Sequence, residues 1–263
     1  MTPTSAPPLD TLRLAVDGAI GRITLARPER LNALGRQTLT ELVTAAGWFD
    51  TLDAVKVVVV SGEGRAFSAG FDLADFTSPP AADRVDDGAE LGRLMAEAVT
   101  AMRAITVAAV AGHCVGGGLV LAASCDLRIA GRGARFSIPE VELGIPLAWG
   151  GIPRLVREIG PAATKDLVLT CRPFGAEEAL ALGFVTRVVE DDAVASAADE
   201  VAALLATRSA FTLRATKRHV NAVAEESGST AQSFRDADIL AAALRDPESR
   251  AAGAAYLARR AAR

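Results

Sequence analysis

Only two histidines, His113 and His219, occur in the 263 residues, and the three cysteines, Cys114, Cys125 and Cys171, show no Cys-x-x-Cys spacing. That leaves little from which to build a metal centre and argues against a disulfide framework, so a reduced, cytoplasmic setting without metal is expected. Aromatic residues make up 5% of the chain and are not interleaved with a basic stripe, while the net charge is −4. Nucleic-acid binding is not expected from such a balance. The first ten residues, MTPTSAPPLD, lack both the basic and the apolar stretch of a secretory signal. One uncharged run, Ala104 to Cys125, has the length of a membrane span, but Gly112 and Gly116 to Gly118 divide it into a strand and a short helix. A buried core segment is the expectation there, with no membrane partner.

Half of the residues are hydrophobic and 23% are charged, enough for one substantial core. Leu12, Leu14 and Val16 alternate towards a turn at Asp17-Gly18, and Ile20, Ile23 and Leu25 follow, which predicts a hairpin. Leu39, Leu42, Val43 and Ala46 have helical spacing. Val57 to Val60 is a β-branched run of the kind buried on both faces. The Pro- and Asp-rich stretch 77–90 reads as a mobile loop, followed by a helix through Leu91, Leu94, Met95, Ala98 and Met102. Further strands are predicted at Thr106–Ala111, Leu127–Ala130, Arg135–Ile138 and near residue 185. From residue 192 to the end the pattern is helical. The alternation predicts an α/β core over 1–191 with a helical region over 192–263.

Two segments share a design. VVVVSGEGRAFSAGFDL (57–73) and ITVAAVAGHCVGGGLVL (105–121) each run from a buried strand into a glycine-containing turn, and the second turn opens a helix. First-turn N–H groups have no intrahelical acceptor and carry the positive end of the helix dipole, and glycine lets a ligand approach them. A phosphate or a developing oxyanion would suit such donors. Neither segment has the spacing of a P-loop or a dinucleotide fold. Close helix–strand packing explains the glycines equally well from spacing alone. A serine hydrolase would use the same donors, but Ser68 lies in AFSAG, with Ala66 where the nucleophile elbow has glycine.

RPERLNAL (27–34), GRAFSAGFDL (64–73), AGHCVGGGLVLAASCDLRIA (111–130) and FSIPEVELGI (136–145) resemble, in order and spacing, the motifs of the crotonase superfamily of enoyl-CoA hydratases and isomerases. The resemblance covers roughly residues 10–260. It implies a spiral of repeated ββα units with a C-terminal helical region, assembled as a homotrimer or hexamer. It also implies a substrate carried as a coenzyme A thioester, with no separate cofactor. The backbone N–H groups of Phe71 and Gly117 would then hold the thioester oxygen. Arg30, Ala33, Ala69 and Leu73 fall where the family meets the CoA moiety, and Gly70, Asp72, Gly116 and Pro139 flank the same positions.

Acid–base chemistry needs a carboxylate beside those donors, and Glu140 and Glu142 are the candidates. Two residues apart on a helix they would point roughly 200° apart, so only one can face the site. The residues leave that choice open; the resemblance assigns the role to Glu140. Two-glutamate hydratases carry a second glutamate three residues after the oxyanion glycine, where this chain has Val120. One carboxylate beside an apolar wall suits moving a proton within the substrate rather than adding water. The resemblance therefore implies a Δ3,Δ2-enoyl-CoA isomerase first, an enoyl-CoA hydratase second, and a catalytically silent acyl-CoA binder third. Ala148 stands where the dehalogenase branch would place its aspartate.

Overall fold

The computed structural model describes residues 5–72 and 84–262. Two sheets organise the chain. The larger has six strands in the order β1 (Leu12–Asp17), β2 (Ile20–Leu25), β3 (Val57–Gly62), β5 (Ile105–Val110), β7 (Leu127–Gly131) and β10 (Arg187–Val189). All its pairings are parallel except the β1–β2 hairpin. Asp17 still pairs with Ile20, so the two-residue turn is Gly18-Ala19, one position later than expected, with Gly18 at φ 56°. The smaller sheet has the order β4 (Ala66–Ser68), β6 (His113–Val115), β8 (Arg135–Ser137) and β9 (Phe174–Gly175).

Each turn of the chain gives one strand to the large sheet, the next to the small one, and then a helix. β3 and β4 precede α2 (Arg84–Ala101), after α1 (Arg36–Asp50). β5 and β6 precede α3 (Gly117–Ala123), and β7 and β8 precede α4 (Gly151–Thr170). This is the expected spiral of ββα units, and it brings the strand-to-helix turns of successive units side by side. Residues 84–90, expected in a loop, are helical: α2 starts well before Leu91, and buried Ala89, Met95, Ala96 and Val99 give it an inner face. The remainder of that expected loop, 77–83, lies outside the described residues.

The β-branched strands are buried on both faces, with a different partner on each. Val58, Val60, Ala108, Val110 and Ala130 join the main core with α1, α2 and α3. Val57, Val59, Val107, Ala109 and Ile129 pack instead against Val194, Ala197, Ala198, Val201 and Ala202 of α6 (Val194–Ala206), which follows the short α5 (Ala176–Ala181). The period of two along each strand thus sorts side chains between two clusters. The uncharged run 104–125 becomes β5, β6 and α3, and among the described residues no helix is long and apolar enough to cross a membrane.

Three helices close the chain: α7 (Ala210–Ser227), α8 (Asp236–Ala243) and α9 (Pro247–Ala261). α8 packs against α2. α9 reaches the loop after β8, where a Cβ on Gly144 would overlap the Ser249 carbonyl and one on Gly253 would lie 2.9 Å from the Leu143 carbonyl.

Candidate active site

The two glycine turns meet. A Cβ on Gly70 would stand 2.5 Å from the Val115 carbonyl and 3.3 Å from the Gly117 nitrogen, and φ 84° at Gly70 is itself a glycine conformation. Gly116 caps α3 with φ 50° and ψ −117°, so the Gly117 N–H is the first of the helix and has no intrahelical acceptor. The segment around Phe71 is stitched to the 30–34 loop: Leu34 N–H donates to the Gly70 carbonyl at 2.7 Å, Ala69 N–H to the Leu31 carbonyl at 2.9 Å, and Asp72 N–H to the Leu34 carbonyl at 3.3 Å. Arg27 reaches Asp72 at 3.4 Å. Arg30, Ala33, Ala69, Gly70, Phe71 and Asp72 therefore come together, Arg30 exposed and Ala33 buried; Leu73 lies outside the described residues.

Glu140 enters from the third unit, one residue after half-buried Pro139. Residues 139–145 form a single turn rather than a helix, closed by Leu143 N–H to the Pro139 carbonyl at 3.1 Å and Ile145 N–H to the Glu140 carbonyl at 3.0 Å. The premise of a helix fails, yet the partition stands: Glu142 is exposed, whereas the Glu140 carboxyl is driven inward. Its Oε1 lies where a Cβ on Gly116 would overlap it, and its Oε2 is buried with no hydrogen-bond partner. Desolvation pushes its pKa up to about 7, against a smaller lowering by a backbone hydrogen bond within Glu140. A buried carboxyl touching the α-carbon that precedes Gly117 is poised between its two protonation states near neutrality.

The first turn of α3 carries no charged side chain. Val120 is 1% exposed and packs at the start of α4, with Cγ2 2.9 Å from where a Cβ on Gly151 would be. Ala148 is half-buried beside it and offers no nucleophile. The Phe71 and Trp149 rings meet edge to face with centroids 6.0 Å apart.

Three features escaped the sequence reading. Asn32 is 1% exposed, at φ 54°; its Oδ1 accepts from the Arg27 N–H, and its Nδ2 donates to the Glu63 and Ala66 carbonyls. It shapes the 27–34 turn, and its only signal was an asparagine in RLNAL, a residue type that tolerates left-handed backbone. Trp149 is 6% exposed at φ 62°, flagged only by its place before Gly150-Gly151. Arg154 and Asp236 hold its backbone: Asp236 Oδ2 accepts from the Gly150 N–H at 2.8 Å, and Arg154 donates to the Gly150 carbonyl at 3.1 Å. Nothing local in the sequence announces a contact across 86 residues.

Ser68 is fully buried, donating to the Asn32 carbonyl at 2.8 Å and accepting from the Gly70 N–H at 3.1 Å. It braces the turn, while His113 and His219 are exposed. Among the described residues, no histidine meets Ser68 as a hydrolase would require. Among the described residues no three His, Cys, Asp or Glu side chains gather to hold a metal ion.

The family model for enoyl-CoA hydratase/isomerase matches residues 15–263. A probable enoyl-CoA hydratase of Mycobacterium bovis is 38% identical over 220 residues, covering 83% of this chain and 84% of that protein. The short-chain-enoyl-CoA hydratase of Clostridium acetobutylicum is 33% identical over 214 residues, with 81% and 82% covered. The crystal structure of an enoyl-CoA hydratase from Mycobacterium avium subsp. paratuberculosis superposes with a TM-score of 0.86 at 26% identity, covering 95% of this chain and 100% of that one. Two crossed glycine turns beside an inward carboxyl, on a ββα spiral, thus have their place: the chain belongs to the enoyl-CoA hydratase/isomerase family. It is an enzyme of that family.

Proposed function

We propose that the enzyme shifts a double bond within an acyl-CoA thioester, from Δ3 to Δ2, with Glu140 as its single proton shuttle. The observation that carries this is the buried Glu140 carboxyl, its Oε2 without a hydrogen-bond partner, set against Gly116 at the start of a helix whose Val120 is apolar and buried. Ionised Glu140 takes a proton from C2 of a 3-enoyl-CoA. The electron pair passes into a dienolate whose negative charge sits on the thioester oxygen. The N–H groups of Phe71 and Gly117 stabilise that oxygen, their role resting on the match to the family's motifs and on the approach of the two turns. The carboxylic acid then returns the proton at C4, leaving C2=C3. No water is consumed and Glu140 ends as it began. Arg30, Ala33 and Ala69 border the CoA moiety in this reading, and no further cofactor takes part.

Hydration of a 2-enoyl-CoA is the second reading, favoured by the names of the relatives, a probable enoyl-CoA hydratase, a short-chain-enoyl-CoA hydratase and an enoyl-CoA hydratase. It requires Glu140 alone to hold and activate water. Turnover of paired 2-enoyl- and 3-enoyl-CoA panels, followed by mass spectrometry, separates the two. Isomerisation adds no mass and hydration adds one water. Faster hydration than isomerisation overturns the first reading in favour of the second, and binding without turnover leaves a silent acyl-CoA binder.

A further inference from the structure

Trp149 is an expensive residue in its position. A bulky side chain at φ 62° is strained, and such strain collects where surrounding structure enforces it for a purpose. Here the surroundings are specific. A Cβ on Gly92 of α2 would overlap the indole, and so would a Cβ on Gly117, so the ring is seated between two bare α-carbons. Gly88, one turn before Gly92, comes within 4.0 Å of the Phe71 ring in the same sense. α2 thus presents two glycines, at i and i+4, to the two aromatic rings. Both rings belong to the oxyanion neighbourhood, because one is carried by Phe71 and the other rests on Gly117.

From this packing we infer that Trp149 is a specificity-determining residue that ends the acyl pocket and confines the enzyme to short acyl groups. The inference rests on the acyl-CoA reading above. A thioester oxygen held at the N–H groups of Phe71 and Gly117 places the first acyl carbons in reach of the indole, which touches Gly117. The ring cannot retreat, since Gly92 is against it, and Gly150, the residue after Trp149, is held by Asp236 and Arg154. A longer chain has to displace the indole or turn away from Glu140.

The test is calorimetric binding of butanoyl-, octanoyl- and dodecanoyl-CoA to the full chain, alongside Trp149→Leu and Trp149→Phe, with thermal melting to verify folding. None of these saturated thioesters can undergo the proposed bond shift, so the measurement reads the pocket alone. The wild type should prefer butanoyl-CoA. Trp149→Leu should raise the affinity for octanoyl- relative to butanoyl-CoA by at least about 10-fold, the scale of a methylene gaining or losing its pocket. Trp149→Phe, which keeps a ring, should give an intermediate shift and serves if the leucine variant does not fold. An unchanged chain-length order in a folded variant overturns the inference, leaving Trp149 as packing for α3. Failure of the wild type to bind any of the three thioesters instead overturns the acyl-CoA reading beneath it.

Discussion

In the proposed reaction, Glu140 is where burial is turned into chemistry. An exposed glutamate would be ionised throughout the physiological range, and a weak base for a carbon acid. With its pKa near 7 it is a stronger base and also a usable acid, as a shuttle requires. Three outcomes follow from that number. kcat/KM should rise about tenfold per pH unit below pH 7 and level off above it, measured with the preferred thioester. Glu140→Gln should bind substrate yet lose about 10²–10⁴-fold in turnover, while Glu142→Gln should keep near wild-type rates. The third concerns stability. The folded protein holds this proton more tightly than the unfolded chain, so ionising Glu140 costs stability progressively as pH rises from its ordinary 4.5 to about 7. Glu140→Gln should therefore be more stable than wild type at pH 8, by up to about 3 kcal/mol in urea titrations, with the gap closing towards pH 5. The identity of this residue was readable from PEVELG only through resemblance; its desolvation was not, because that depends on how closely Gly116 approaches.

At the scale of elements, what was legible is what obeys a period. The alternating and β-branched strands and the Leu39–Ala46 helix were found because their burial repeats along the chain. Residues 84–90 were misread because Asp and Gly suggest a turn, whereas packing of Ala89, Gly88 and Gly92 against the core decides for helix. The attachment of α7 was equally hidden. Lys217 is 8% exposed, donates to the Ala104 carbonyl at 3.0 Å and pairs with Asp126 at 2.8 Å, while Asp126 also accepts from the Thr106 N–H at 2.7 Å. Truncating Lys217 would strand a largely buried carboxylate, so Lys217→Met should destabilise by about 3 kcal/mol in urea titrations. Activity per folded molecule should stay close to wild type.

For the whole molecule, the C-terminal helices divide into two roles. α9 packs on the loop after β8 and α8 on α2, whereas Lys217 is the sole buried residue of α7, which exposes Phe211 at 77%, Val220 at 61% and Val223 at 56%. Val220 and Val223 lie about 60° apart on the helix, and this exposed apolar pair is a candidate surface for the assembly the resemblance implies. Sedimentation should report a trimer or hexamer, and Val220→Asp should shift it towards smaller species; a wild-type monomer at micromolar concentration would contradict the expectation.

The contact of α9 with Leu143 and Gly144 also sets an order of events at the ribosome. Chains emerge amino end first, and the ββα units can pair as they appear. The turn that carries Glu140, however, waits for Ser249 and Gly253 to be made before its outer side is covered, and Gly150 waits for Asp236. A chain that has emerged only as far as α7 therefore has the outer side of the Glu140 turn uncovered. A chain ending at residue 228 should keep the strand signal of the full protein in circular dichroism, yet turn over its thioester poorly. The raised basicity of Glu140, which depends on burial, therefore comes only after the helices that cover its turn have been made.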